Sequence, residues 1–217
     1  MPVFLDLDNT LVDRDGAFFR WAHHVVPTWG GDVGDVDWLI RSDASGYTPR
    51  AELAQMIIAR FGPARVDAGD LVSHMRKGIV EHLECYPGVL SQLKGLATIG
   101  QSLVILTNGD SKQQRMKIER TGLADIVSGF TISGELGFKK PDPRIFEAAR
   151  AIGQDDGAVW MVGDHVEADI AGARAAGWAT AWVSHGRPWP EQWMPTLRAQ
   201  EPAELLAVLC SNLRTAR

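Results

Sequence analysis

The sequence predicts a doubly wound α/β domain built on a parallel sheet, interrupted near its start by an all-helical insertion. Three observations carry that reading. Residues 3–5, 103–106, 158–162 and 179–183 form short, nearly uninterrupted apolar runs, the pattern of strands buried on both faces of a parallel sheet. Helix-like segments with defined boundary residues alternate with these runs, as in α/β folds. Residues 14–85 break the alternation: they contain no buried-strand run and show helical spacing instead.

Taken in order, residues 3–5 form the first strand and end at an acidic residue, Asp6. The insertion follows, with helical patterns over 17–26, 50–61 and 66–83 separated by turns bearing Gly, Asp and Pro. Residues 103–106 form the second strand. The next helix begins near Ser111 and stops at Gly122, and the apolar residues around 126–132 supply a fifth candidate strand. Asp142 caps a further helix with Pro143 at its first position and Gly153 after its end. A helix ending at Gly177 joins the strands at 158–162 and 179–183, and Pro202 opens the last helix. The predicted domains are therefore an α/β core over 1–13 and 86–217 and a helical segment over 14–85.

Composition narrows the function classes. A chain of 217 residues, 45% hydrophobic and 23% charged, has the make-up of an ordinary globular protein. Its formal net charge of −5 leaves no basic excess to displace counterions from a phosphate backbone, so no nucleic-acid partner is expected. Cys85 and Cys210 have no metal-ligand spacing and are expected to be reduced. The N-terminus has neither a basic leader nor a long apolar stretch, so no signal peptide and no membrane partner are expected, and the expected location is cytoplasmic.

Four segments carry chemistry: Asp6-Leu7-Asp8-Asn9-Thr10, Thr107-Asn108-Gly109, Lys139-Lys140-Pro141, and Gly163-Asp164 with Asp169. In an open parallel sheet, ligands bind outside the carboxyl ends of the strands. Asp8, Thr107 and Asp164 each come just after an apolar run, so the topology brings them to one edge. Strand periodicity places the Asp6 and Asp8 side chains on the same side. Thr107 offers a hydroxyl, and the Asn108–Gly109 turn offers backbone N–H groups to phosphoryl oxygens. Lys140 supplies positive charge for a transferring phosphoryl group, whereas Lys139 is expected to be a solvated surface charge. A carboxylate can attack an anionic phosphomonoester only if positive charge is supplied, and Mg²⁺ suits carboxylate and carbonyl oxygens.

In these four segments the sequence resembles the haloacid dehalogenase (HAD) superfamily, mostly phosphatases and phosphomutases. The resemblance implies that Asp6 is both metal ligand and nucleophile, forming an aspartyl-phosphate. It also implies that the Asp8 carbonyl and the Asp164 carboxylate complete the protein ligands to Mg²⁺. Asp8 would be the general acid and then the base, Lys140 the catalytic lysine, and Asp169 the residue that holds Lys140 or a water on the metal. A helical cap occupies the place of the insertion in such relatives, with a specificity loop corresponding to residues 41–50. Arg41, Tyr47 and Arg50 are its candidates for substrate contact. Asn9 stands where many relatives have glycine and Ala168 where many have a polar residue, and neither change removes a reactive group.

The expected function is a Mg²⁺-dependent phosphatase acting on a small soluble phosphomonoester. A phosphomutase shares all four segments, and a 2-haloacid dehalogenase shares the aspartate nucleophile but generally lacks a carboxylate at the position of Asp8. His165 is expected to have no ligand role and His23-His24 to lie on a helix face. Trp178, Trp182, Trp189 and Trp193 are expected to pack the last strand and its following loop. Arg115, Lys117 and Arg120 are expected to form a solvated helix face.

Overall fold

A computed structural model describes residues 1–62, 67–153 and 158–215. The chain opens with β1 (Pro2–Leu5), followed by α1 (Arg14–Val25), α2 (Val33–Asp43), α3 (Arg50–Phe61) and α4 (Ala68–Glu81). Next come α5 (Val89–Thr98), β2 (Ser102–Thr107), α6 (Ser111–Arg120), β3 (Gly129–Ile132), the one-turn α7 (Ser133–Leu136) and α8 (Pro143–Gly153). The chain continues through β4 (Trp160–Gly163), α9 (Gly172–Ala175), β5 (Ala179–Val183), β6 (Leu197–Ala199) and α10 (Pro202–Thr215). By density of internal packing it divides into two compact units, Met1–Val12 with Cys85–Arg217, and Asp13–Glu84.

The first unit holds a six-stranded sheet in the order β3-β2-β1-β4-β5-β6, with every pair parallel. From β1 the chain builds outward through β2 and β3, then crosses back to place β4 on the other side of β1. That reversal creates the crevice in which such sheets bind ligands. The central strands are apolar because both faces are covered. Phe4, Val104, Leu106 and Met161 pack with Ile145, Phe146 and Ala149 of α8, Ala173 of α9, and Trp178. Phe4 stacks on Trp178 at 4.6 Å between ring centroids, and Phe146 meets it edge-on at 5.3 Å. Each such fully buried large side chain contributes about 1.5–3 kcal/mol, so this layer fixes where the strand ends lie.

Five of the six strands fall on the predicted runs. The sixth, β6, is an edge strand of three residues, none of them buried, and has no apolar run. The predicted helix ending at Gly177 is divided into a π-helical turn, Val166–Ala171, and α9. Helix α5 was not among the predicted elements, although Val89, Leu93 and Leu96 are buried at helical spacing. Trp178 and Trp182 are buried, while Trp189 lies edge-on to both Trp182 and Trp193. Both cysteines are free thiols.

Among the described residues, the regular elements of the second unit are all helical, with Trp21, Phe18, Leu39, Leu53, Ile57 and Met75 among its fully buried large side chains. Helix α2 was not predicted. It starts at a capping box in which the Asp32 side chain accepts from Asp35 N–H and Asp35 accepts from Asp32 N–H, satisfying two otherwise unpaired donors. The predicted helix start at Val66 lies outside the described residues, and α4 begins at Ala68. His23 and His24 are exposed on α1. Among the described residues no helix is long and apolar enough to cross a membrane.

Candidate active site

The carboxyl ends of β1, β2 and β4 carry the predicted groups. Asp6 directly follows β1 and continues its pairing with β4 through Asp6 N–H to Val162 O at 2.9 Å. Its carboxylate is buried: Oδ1 accepts from Lys140 Nζ at 2.7 Å and Oδ2 from the Thr10 hydroxyl at 3.1 Å. Two residues on, Asp8 precedes a tight turn in which Asn9 has φ 58°. Asn9 thus adopts a left-handed conformation that asparagine tolerates better than most residues.

Thr107 ends β2 and is buried. Gly109 has φ 145°, and a Cβ there would lie 2.9 Å from the Gln114 side chain, so the turn demands glycine on both counts. Its N–H, expected to face phosphoryl oxygens, donates instead to Ser133 Oγ at 2.9 Å. The Asn108 side chain has a separate structural job. Its amide accepts from Lys140 N–H at 2.8 Å and donates to Lys140 O at 3.0 Å, so it anchors the backbone of the lysine.

Lys140 is buried and precedes a cis peptide bond to Pro141, while Lys139 is exposed. The Lys140 ammonium donates to Asp6 at 2.7 Å, Asp169 at 2.7 Å and Leu106 O at 2.6 Å. Asp169 lies inside the π-helical turn. One of its oxygens accepts from Lys140 and the other from His165 N–H at 3.0 Å. A Cβ at Gly163 would overlap its carboxylate, so Gly163 leaves room for Asp169. His165 itself caps the turn, its Nδ1 accepting from Ala168 N–H. Asp164 follows β4, and its backbone carbonyl accepts from Trp182 Nε1 at 2.9 Å. Arg187 donates to that carbonyl at 2.8 Å and to the carboxylate at 3.1 Å.

Asp6, Asp164 and Asp169 each place a carboxylate oxygen within 4.8 Å of the others. This cluster holds more acid than the neighbouring cations balance. Burial pushes the Asp6 carboxyl up to about 7, with Lys140 opposing the rise and Asp169 adding to it. Burial, then the charges of Asp6 and Asp169, hold Asp164 well above its ordinary range against the pull of Arg187. Lys140 moves the opposite way: burial disfavours its charge, but Asp169 and Asp6 outweigh burial and hold the ammonium firmly protonated. A pocket of oxygen donors short of positive charge suits a hard divalent cation.

One expectation for α6 needs correction. Arg115 and Arg120 are exposed, but Lys117 is buried. Its ammonium lies 2.7 and 2.6 Å from the two Asp8 oxygens. Gln114, one turn earlier and also buried, donates to Asp8 at 3.0 Å and to the Thr107 hydroxyl at 2.7 Å. Their spacing of three residues places them on one helix face, a signal visible in the sequence only once the position of Asp8 is known.

Arg41, Tyr47 and Arg50 belong to the helical unit. Arg41 is exposed at the end of α2, and Tyr47 is 65% exposed. Arg50 pairs with buried Asp43 at 2.5 Å. Arg14, also buried, grips the same carboxylate with both terminal nitrogens, one of them at 2.7 Å.

Residues 3–183 match the haloacid dehalogenase-like hydrolase family. The chain is 39% identical over 153 residues to the pyrimidine 5'-nucleotidase YjjG of Escherichia coli (strain K12), an alignment spanning 68% of this chain and 66% of that protein. It is 31% identical over 196 residues to the glyceraldehyde 3-phosphate phosphatase of Pyrococcus abyssi, covering 85% and 82%. Among solved structures, the HAD-hydrolase YfnB of Bacillus subtilis bound to magnesium superposes with a TM-score of 0.76 at 22% identity, covering 96% of this chain and 97% of that one. With the family's residues gathered at the carboxyl ends of a parallel sheet, the chain belongs to the haloacid dehalogenase-like hydrolase family.

Proposed function

We propose that this hydrolase is a Mg²⁺-dependent phosphatase that removes phosphate from a small phosphomonoester through an aspartyl-phosphate on Asp6. The observation that carries this reading is the second carboxylate, Asp8, two residues after an Asp6 already engaged by buried Lys140. A dehalogenase has no need of an acid there. The named phosphatase relatives support the same reaction class.

Asp6 and Asp164, with the Asp8 carbonyl, would hold Mg²⁺, which supplies the positive charge that lets a carboxylate approach an anionic phosphoryl group. Asp169 has one oxygen on Lys140 and the other on the His165 N–H, so its role is to fix the lysine. An Asp6 oxygen attacks phosphorus as the ester P–O bond breaks. Lys140 and the Thr107 hydroxyl stabilise charge on the phosphoryl oxygens. Asp8 gives its proton to the departing oxygen and then takes one from water, which attacks the same phosphorus and frees Asp6 and inorganic phosphate. Choice among phosphomonoesters is assigned to Arg41 and Tyr47 of the helical unit, since the third candidate, Arg50, is engaged by Asp43.

The test is free phosphate released from a panel of phosphomonoesters, with Mg²⁺ and after exhaustive chelation. Release is expected only with the metal, and Asp6→Asn is expected to lower it by at least ~10⁴-fold. Isomerisation without release would make the chain a phosphomutase. Activity surviving chelation, with halide freed from 2-chloropropionate, would make it a dehalogenase. Alanine at Arg41 or Tyr47 is expected to reorder the panel, and one common factor across all substrates would remove them from specificity.

A further inference from the structure

We infer that Lys117 and Gln114 of α6 are positioning residues for the reaction, acting through Asp8. The inference rests on the reading of Asp8 as the proton-transfer group. A carboxylate at the start of a turn has several rotamers open to it, and proton transfer works only within hydrogen-bond reach of the leaving oxygen or water. Three donor contacts restrict this one. The Lys117 ammonium bridges both Asp8 oxygens at 2.7 and 2.6 Å, a two-point hold that fixes the plane of the carboxylate. The Gln114 amide adds a third contact at 3.0 Å.

Gln114 does more than reinforce the pair. Its Nε2 also donates to Thr107 Oγ1 at 2.7 Å, so one side chain ties the proton-transfer group to the hydroxyl assigned to the phosphoryl oxygens. Gln114 also packs against Gly109, where any Cβ would approach its side chain to 2.9 Å. The helix therefore fixes the spacing between the two ends of the reacting bond: Thr107 on the phosphorus side and Asp8 on the leaving-group side. Burial makes the arrangement costly to build by accident. Lys117 and Gln114 are 3% and 2% exposed, and a lysine is almost never so buried unless paired. The inward face of α6 carries Gln113, Gln114, Lys117 and Ile118, while Arg115 and Arg120 stay exposed.

A purely structural role and a positioning role predict different double-mutant behaviour. Residues that act as one unit give non-additive losses, whereas independent ones multiply. The experiment measures kcat and KM, with Mg²⁺ saturating, for Lys117→Met, Gln114→Leu, Asp8→Asn and the two double variants that include Asp8→Asn. The substrates are an alkyl phosphate and p-nitrophenyl phosphate. Lys117→Met is expected to lower kcat on the alkyl ester by about 10- to 100-fold, part of the general acid–base contribution, with KM changed less than threefold. Its loss on p-nitrophenyl phosphate, whose leaving group needs little protonation, is expected to be smaller. In the Asp8→Asn background the same substitution is expected to cost less than threefold. Lys117→Arg, which keeps the charge and donors, is expected to recover most of the rate and serves as the folding control. Equal losses with and without Asp8, or equal losses on the two esters, would overturn the inference and leave the proposed function standing. An Asp8→Asn loss below tenfold would remove the reading beneath it, and the inference with it.

Discussion

The two compact units both bury charge, but with opposite balance. In the helical unit, Asp43 is 1% exposed and meets two guanidinium groups, Arg14 and Arg50, while Arg14 also reaches the more exposed Asp15. Two acids face two bases. Burial alone would raise the Asp43 carboxyl, yet Arg14 and then Arg50 outweigh it and hold the group below its ordinary value. In the α/β unit, Asp6, Asp164 and Asp169 crowd together, with Lys140 paired to Asp6 and Asp169 and the half-exposed Arg187 to Asp164 among the described residues, and two of the three acids are pushed upward. Buried charge that closes on itself is a structural device. Buried charge left in excess costs stability and marks a place where a ligand completes the set.

The largest expected effect comes from breaking the balanced network. Asp43→Asn leaves two buried or half-buried guanidiniums without their carboxylate, and removing one partner of a buried pair typically costs about 3 kcal/mol or more. Denaturant unfolding is expected to show that loss. Phosphate release at temperatures where the variant remains folded should show no loss comparable to Asp6→Asn. A loss below about 1 kcal/mol would mean that the network adds little beyond a surface ion pair.

These two networks also show which parts of the molecule are legible from sequence. Strands β1, β2, β4 and β5 are readable because burial on both faces leaves an unbroken apolar run, and the motif residues are readable because they sit directly at the ends of those runs. Edge strand β6, with Leu197 and Ala199 only half-buried, leaves no such trace. The capping box of Asp32 and Asp35 was a local signal that would have placed α2. Lys117 is different in kind: nothing within α6 distinguishes it from Arg115 or Arg120, because its burial is set by Asp8, 109 positions away in sequence. The pairing of Arg14 with Asp43 is likewise long-range. Arg50, read as a substrate contact, is engaged by that network. Local pattern fixes elements, and tertiary contact decides which charged side chains turn inward.

A second expected effect tests the unbalanced cluster through pH. The carboxyl of Asp6 lies near 7 in the folded chain, against an ordinary value of 3.8. A raised folded value means the folded state keeps a proton that the unfolded chain has lost, so metal-free stability falls as pH rises from about 4 to 7. Mg²⁺ competes with that proton. An acid of this strength goes from about one-tenth to nine-tenths ionised between pH 6 and 8, roughly tenfold in apparent affinity or ~1.4 kcal/mol. At a fixed Mg²⁺ concentration well above the dissociation constant at both pH values, the rise in Tm over a chelated sample is expected to be larger at pH 8 than at pH 6 by about 3–5 °C. A rise that does not change with pH would separate Asp6 from the metal.

The smallest expected effect reverses the usual sign of a substitution at a buried charge. Asp164 is held well above its ordinary ionisation range by burial and by Asp6 and Asp169, so above about pH 4 its charge works against folding. Asp164→Asn keeps the volume and an oxygen that can accept from Arg187, and removes the charge. The pair it weakens is with an arginine 47% exposed, where solvent screening leaves little to lose. In chelator at pH 8 the variant is therefore expected to melt about 2–4 °C higher than the parent, the scale of ~1 kcal/mol gained when a destabilising functional group is relieved. With saturating Mg²⁺ the order is expected to invert, because the parent gains the cation and the variant has lost one of its proposed ligands. Phosphate release should fall at the same time. The same change at Asp43 destabilises under both conditions, which is the contrast between the two clusters in a single measurement. If Asp164→Asn lowers Tm in chelator as Asp43→Asn does, the cluster in the α/β unit is balanced in a way its geometry does not reveal, and the excess of acid is not the mark of a metal site.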